Sequence, residues 1–277
     1  MATSTPPKLP SLPSTVVSTL APPSIQSFVT LSLTLDGRDK ITKVIAYLSR
    51  LLAYWYITQG NTEESLRWSG LKTALQMSRK PFRFFKYLNE YLKFKKLVAR
   101  PTLSEEGGRE GEEVVEVKDK NALPLYKKVG MGGKIIGLAG FWAADNISFL
   151  TKGSKFIYPK DADKRTVLAK KAYDFGARLY FFGAVCHLMQ GLEDVRRALM
   201  DLDKSKNSEE EYKSKQLKLT GCMVGLFKAL CDVTVFGNNI RLFEKITGKK
   251  LNEGMASLAG LGSAMTVIFN NYPRVKV

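Results

Sequence analysis

SRKPFRFFKYLNEYLKFKK, Ser78 to Lys96, carries six aromatic rings and seven Lys or Arg side chains in nineteen residues, with Glu90 as its one acid. A core helix should be apolar on one side and mixed in charge on the other, and a disordered basic arm should hold few aromatics. This segment fits neither pattern. Drawn on a helical wheel, Leu75, Phe82, Phe85, Leu88 and Leu92 share one face. Arg79, Arg83, Lys86 and Lys93 share the adjoining face, and Phe84, Tyr87, Tyr91 and Phe94 fill much of the rest. Tyr presents an apolar ring with a polar tip, and Lys and Arg lay their stems on apolar surface while keeping their charge in water.

These properties suit a helix lying in a membrane interface. The membrane-binding residues expected are Arg79, Lys80, Phe82, Arg83, Phe84, Phe85, Lys86, Tyr87, Leu88, Tyr91, Leu92 and Lys93. Each cation near an anionic leaflet contributes about 1 kcal/mol. Six net charges would then give on the order of 4–6 kcal/mol after screening. Each fully buried Phe would add about 1.5–3 kcal/mol. A wedge in one leaflet expands that leaflet and favours curvature. Two other readings stay open: RNA binding through stacking and phosphate contacts, and a core helix whose basic face is merely solvated. No RNP, KH or zinc-finger pattern accompanies the segment, so nucleic acid is not the expected partner.

Upstream, DGRDKITKVIAYLSRLLAYWYITQ (residues 36–59) reads as a helix. Asp39 is placed to cap it, and Ile41, Val44, Ile45, Leu48, Leu51, Leu52 and Trp55 recur every three or four positions. Gly60-Asn61 ends it, and a second helix opens at Thr62 with Glu63 and Glu64 in its first turn. Pro81 should kink that helix or restart it.

The chain divides into a Pro-, Ser- and Thr-rich flexible tail (1–35), the amphipathic membrane-remodelling region (36–100), an acidic linker (101–123) and a second helical half (124–277). Helices in that half are expected near 124–151, 162–202, 209–246 and 255–271. The runs 134–152, 178–193 and 254–273 are poor in charge. The last has none in twenty residues, enough at about 1.5 Å per residue to span a bilayer core. Its small residues Ala256, Gly260 and Ala264 recur every fourth position and predict a helix-contact face, expected to serve self-association. The competing reading is a buried helix of a soluble bundle. If both termini share one side, a second crossing within 134–152 or 178–193 is required.

Lys plus Arg total 43 against 26 acids, a net charge of +17 that calls for an anionic partner such as an acidic membrane surface. Cys186, Cys222 and Cys231 form no disulfide framework, and no apolar leader segment follows Met1. His187 is the one histidine, too few ligands for a metal site. GMGGK (Gly130 to Lys134) lacks the first loop glycine and the hydroxyl residue of a phosphate loop and reads as a flexible helix entry. No nucleophile–base–acid set assembles, so neither an enzyme nor a cofactor is expected.

DGRDKITKVIAYLSRLLAYW followed some twenty residues later by SRKPFRFFKYLNEY resembles the peroxin-11 family of peroxisomal membrane proteins, sharply over 36–97 and more loosely over 125–277. The resemblance implies an all-α integral membrane protein with an N-terminal amphipathic region and a membrane-embedded C-terminal half. It implies a homo-oligomer of the peroxisomal membrane, with cytosolic termini, that promotes peroxisome elongation, proliferation and fission. Its partners would be a membrane with acidic lipids, a tail-anchored adaptor and a dynamin-related GTPase. The alternative is a pore or transport protein of that membrane, with Asp145, Arg178 and His187 lining a polar path.

Overall fold

The computed structural model describes residues 23–100, 122–158, 160–204 and 208–271, and among these the regular structure is helical throughout. Residues 1–22 and almost all of the acidic linker lie outside the described residues. The all-α expectation holds. The expected tail, however, is cut short: Pro23–Leu33 form a helix, α1. Proline's fixed φ suits a first helical turn, and Leu31 of this helix is buried.

Thr34, not Asp39, caps α2 (Leu35–Thr58): its Oγ1 accepts the Gly37 N–H at 2.9 Å. Gly37 is required at this corner, because a Cβ there would strike the Leu31 carbonyl. Asp39 instead sits a turn inside the helix and is buried. After Gly60, at φ 76°, Asn61 caps α3 (Thr62–Ser78) by accepting the Glu64 N–H at 3.1 Å. A 3₁₀ turn, Pro81–Arg83, leads into α4 (Lys86–Val98). The second half holds α5 (Leu125–Ser148), a π turn at Phe149–Gly153, α6 (Ala162–Asp203), α7 (Glu209–Asn239), α8 (Leu242–Thr247) and α9 (Glu253–Asn271).

The helices pack in series: α3 contacts α2, α2 contacts α9, α9 contacts α7, α7 contacts α6, α6 contacts α5 and α5 contacts α4. The 3₁₀ turn that links α3 to α4 along the chain completes the ring. What sits between them is small. Among the described residues, eleven of the sixteen buried apolar side chains are Ala, and the largest fully buried side chains are Thr151, Asp39, Ser49, Ser257 and Ser263. The large apolar groups, Trp55, Phe175, Phe182, Met189, Phe227 and Phe269 among them, lie exposed. The helices approach one another closely along their backbones, a packing mode that also operates where the surroundings are as apolar as the side chains.

The α5–α6 crossing illustrates this. A Cβ on Gly137 would lie 2.7 Å from the Cα of Gly183 and 2.5 Å from the Leu179 carbonyl oxygen. Gly130 and Gly133 of GMGGK belong to the same helix contact, whereas Gly132 faces Leu97 and Phe94 of α4. All three lie inside α5 rather than at a flexible entry, and a side chain on Gly133 would collide with Cys186.

Ala256 and Ala264 are buried, and Gly260 abuts the Tyr47 ring of α2. The small-residue row thus packs within the chain. By length and composition, one helix among the described residues is suited to crossing a membrane, and it is α7. The run 254–273 forms α9 as far as Asn271, but Glu253, Asn270 and Asn271 within that helix lower its apolar character. Lys228 and Asp232 hid α7 from a reading that counted charges. They pair with each other at 2.6 Å, one turn apart.

Candidate functional site

The segment from Ser78 to Lys96 is not one helix, so a single wheel does not describe it. Pro81 lacks an N–H and cannot extend α3. The chain turns instead: the Phe84 N–H donates to the Pro81 carbonyl at 3.2 Å, and Phe85 adopts φ 61°. A left-handed Phe costs on the order of 1–3 kcal/mol, so tertiary contacts must hold it. The turn rotates the basic residues inward and leaves the apolar ones outward.

Arg79 Nε donates to Asp39 Oδ1 at 2.9 Å and Arg83 Nε to the same oxygen at 3.1 Å, with all three side chains nearly or fully buried. Arg83 Nη1 also reaches Asp145 Oδ2 at 3.3 Å. Lys80 Nζ lies 3.5 Å from Asp145 and donates to Ser148 at 3.1 Å. Lys86 pairs with Asp36 at 2.7 Å. The Arg83 guanidinium and the Lys86 ammonium both stand over the Trp142 ring, 5.2 and 5.6 Å from its centroid. Burial raises the Asp39 carboxyl, but the charges of Arg83 and Arg79 outweigh it and hold that group well below the usual aspartate range.

The expected membrane-binding residues therefore divide. Arg79, Lys80, Arg83 and Lys86 turn toward acids of α2 and α5, where they are paired rather than offered to an anionic surface. Phe82, Phe85, Leu88, Tyr91 and Leu92 are exposed, Phe85 and Tyr91 by 62% and 61%. Phe84 and Tyr87 are half-buried; Phe84 meets Phe149 edge-on at 5.5 Å. Lys93 is exposed and pairs with Glu90 at 2.7 Å. Sequence reading missed Asp39 as the hub. The available signal was a carboxylate just inside an amphipathic helix whose neighbours are Arg and Lys.

The inward cations face a cavity of about 840 Å³ lined by α2, α3, α4, α5, α6, α7 and α9. Asp145 and His187 line it, as the polar-path reading expects, whereas Arg178 is exposed on α6 and is not among the lining residues. Among the described residues, no three His, Cys, Asp or Glu side chains converge on a metal position.

No curated protein and no solved structure matches the chain. The family described as peroxisomal biogenesis factor 11 (PEX11) matches residues 25–107 and 116–271. That match covers α1 to α9, including both arms of the Asp39 cluster, and the chain belongs to the peroxisomal biogenesis factor 11 family.

Proposed function

We propose that this peroxisome biogenesis factor elongates peroxisomes and prepares them for fission by inserting the apolar face of residues 82–92 into one leaflet of the peroxisomal membrane. The observation that carries the reading is the outward cluster Phe82, Phe85, Leu88, Tyr91 and Leu92, exposed beside a turn whose cations are already paired. Insertion then rests mainly on apolar area. At about half the full-burial value, or about 1 kcal/mol per side chain, the cluster supplies on the order of 5 kcal/mol. α7 crosses the bilayer, a second crossing through α5 or α6 returns the chain, the other helices of the C-terminal half are embedded around them, and both termini face the cytosol. The fission partners, a tail-anchored adaptor and a dynamin-related GTPase, meet the protein on that side. Self-association uses outward helix faces, since the Ala256/Gly260/Ala264 row is occupied within the chain.

The test is a full-length Phe82→Ser/Phe85→Ser/Leu92→Ser variant. It should reach peroxisomes, fail to elongate them, and leave acidic-lipid vesicles round after reconstitution. Tubulation equal to wild type would sink the reading. The second reading, a transport protein, draws on the polar cavity that Asp145 and His187 line. It requires solute flux through proteoliposomes that the serine variant leaves intact.

A further inference from the structure

The interior cavity holds more positive charge than the protein itself balances. Its lining includes eleven Lys or Arg side chains and four Asp or Glu. All four acids are already engaged: Asp36 with Lys86, Glu90 with Lys93, Asp145 with Lys80 and Arg83, and Asp232 with Lys228. Lys40 and Arg79 share Asp39 behind the wall. Lys43, Lys134, Lys152 and Lys170 line the same space, and none forms an ion pair among the described residues.

Lys152 and Lys170 are exposed, so water solvates them. Lys43 and Lys134 are half-buried, and their partners are neutral. The Lys43 ammonium donates to the Ser263 hydroxyl at 3.4 Å, and the Lys134 ammonium lies 3.1 Å from His187 Nε2. Lys228, paired with Asp232, lines the same cavity, so α2, α5 and α7 each present one ammonium group to it. Withdrawing cations from water without a counter-charge is costly. A bound anion removes that cost. The volume lies in the range of small-molecule sites, roughly 300–1,000 Å³.

We propose that this cavity binds a phosphate-bearing anion, held by Lys43, Lys134 and Lys228. Phosphate fits better than a lone carboxylate. The two guanidiniums that could grip a carboxylate in bidentate fashion are committed to Asp39, and the groups left are ammonium point charges, which suit a multiply charged phosphate. Lys152 and Lys170 sit where they draw the anion in. The phosphate belongs either to a soluble molecule or to a lipid headgroup reaching in from the leaflet. The inference concerns the inner face of the ring and is independent of insertion by the outer face.

The test uses the full chain purified in detergent, titrated calorimetrically with sodium pyrophosphate and, separately, with dioctanoyl phosphatidic acid, against sodium chloride at matched ionic strength. Wild type should bind at least one phosphate probe saturably. Lys43→Met/Lys134→Met should bind it at least tenfold more weakly while keeping its helical circular dichroism, and Lys134→Met alone should show an intermediate loss. Lys249→Met, exposed and outside the cavity, should bind as wild type. Binding of pyrophosphate identifies a soluble source, and binding of the lipid alone identifies a headgroup. Absence of binding by either probe, or equal binding by wild type and the double variant, overturns the proposal.

Discussion

Asp39→Ala tests whether the inward clamp organises the amphipathic region. The Asp39 side chain is 1% exposed and satisfies two nearly buried guanidiniums through one oxygen. Removing it affects the two arginines unequally. Arg83 keeps Asp145 at 3.3 Å and the face of Trp142, whereas Arg79 has no other acid within ion-pair distance among the described residues. An abandoned buried charge costs about 3–5 kcal/mol, against a total stability on the order of 5–15 kcal/mol. For a chain of this size that corresponds to a fall in unfolding midpoint of roughly 6–20 °C. The assay is thermal unfolding of the full-length protein in detergent, completed as a double-mutant cycle with Arg79→Met. Because the penalty resides in the unpaired guanidinium, Asp39→Ala in the Arg79→Met background should cost about 1 kcal/mol or less, the residue being Arg83's weakened bond. A shift below ~1 kcal/mol for the single variant, or the same large cost in both backgrounds, would refute the clamp.

Gly260→Leu forces a side chain into the Tyr47 ring and should lower the unfolding midpoint by the equivalent of about 1–3 kcal/mol, with Tyr47→Ala recovering part of it; loss of crosslinked oligomers at unchanged stability would instead place the row between copies. Gly137→Val, aimed at the Leu179 carbonyl 2.5 Å from its Cβ and at Gly183, should open the α5–α6 crossing at a similar cost, read by the same melt. Asp39 titrates lower in the folded chain than its ordinary 3.8, so its contribution is complete above that value and is lost as pH falls below it toward the folded value. Unfolding at pH 3 and pH 5 should therefore differ more for wild type than for Asp39→Asn.

Helix existence and limits were legible because they follow from local chemistry. The Gly60-Asn61 break, the start at Thr62 and the second-half helices appear close to where periodicity and turn residues place them. Asp39 was misread as a cap because capping is a local preference. What decided its place was two arginines forty and forty-four residues away, and no window along the chain contains both partners. The suitability of α7 for crossing a membrane was missed for a related reason. Lys228 and Asp232 count as two charges in a hydropathy sum, but i,i+4 spacing lets them neutralise each other inside the bundle.

The orientation of the amphipathic segment was the least legible feature, and the cause is geometric. A wheel assumes 100° per residue through Pro81, whereas the 3₁₀ turn and the left-handed Phe85 reset the phase between Arg83 and Lys86. Composition correctly identified a segment both greasy and basic, yet it could not say which property faces outward. Dielectric argues for the arrangement found. Unpaired cations at an apolar surface would have to snorkel to water, whereas acids of α2 and α5 offer partners at 2.7–3.5 Å and Trp142 adds a π face. The rings lose little by facing out if the outside is lipid. An interior of Ala, Ser and paired charge with Phe and Leu on the surface is therefore self-consistent in an apolar solvent and costly in water. The same logic leaves Lys43 and Lys134 as the exceptions: they lie inside the ring with neutral partners, where an anion would complete the pattern the other cations already follow.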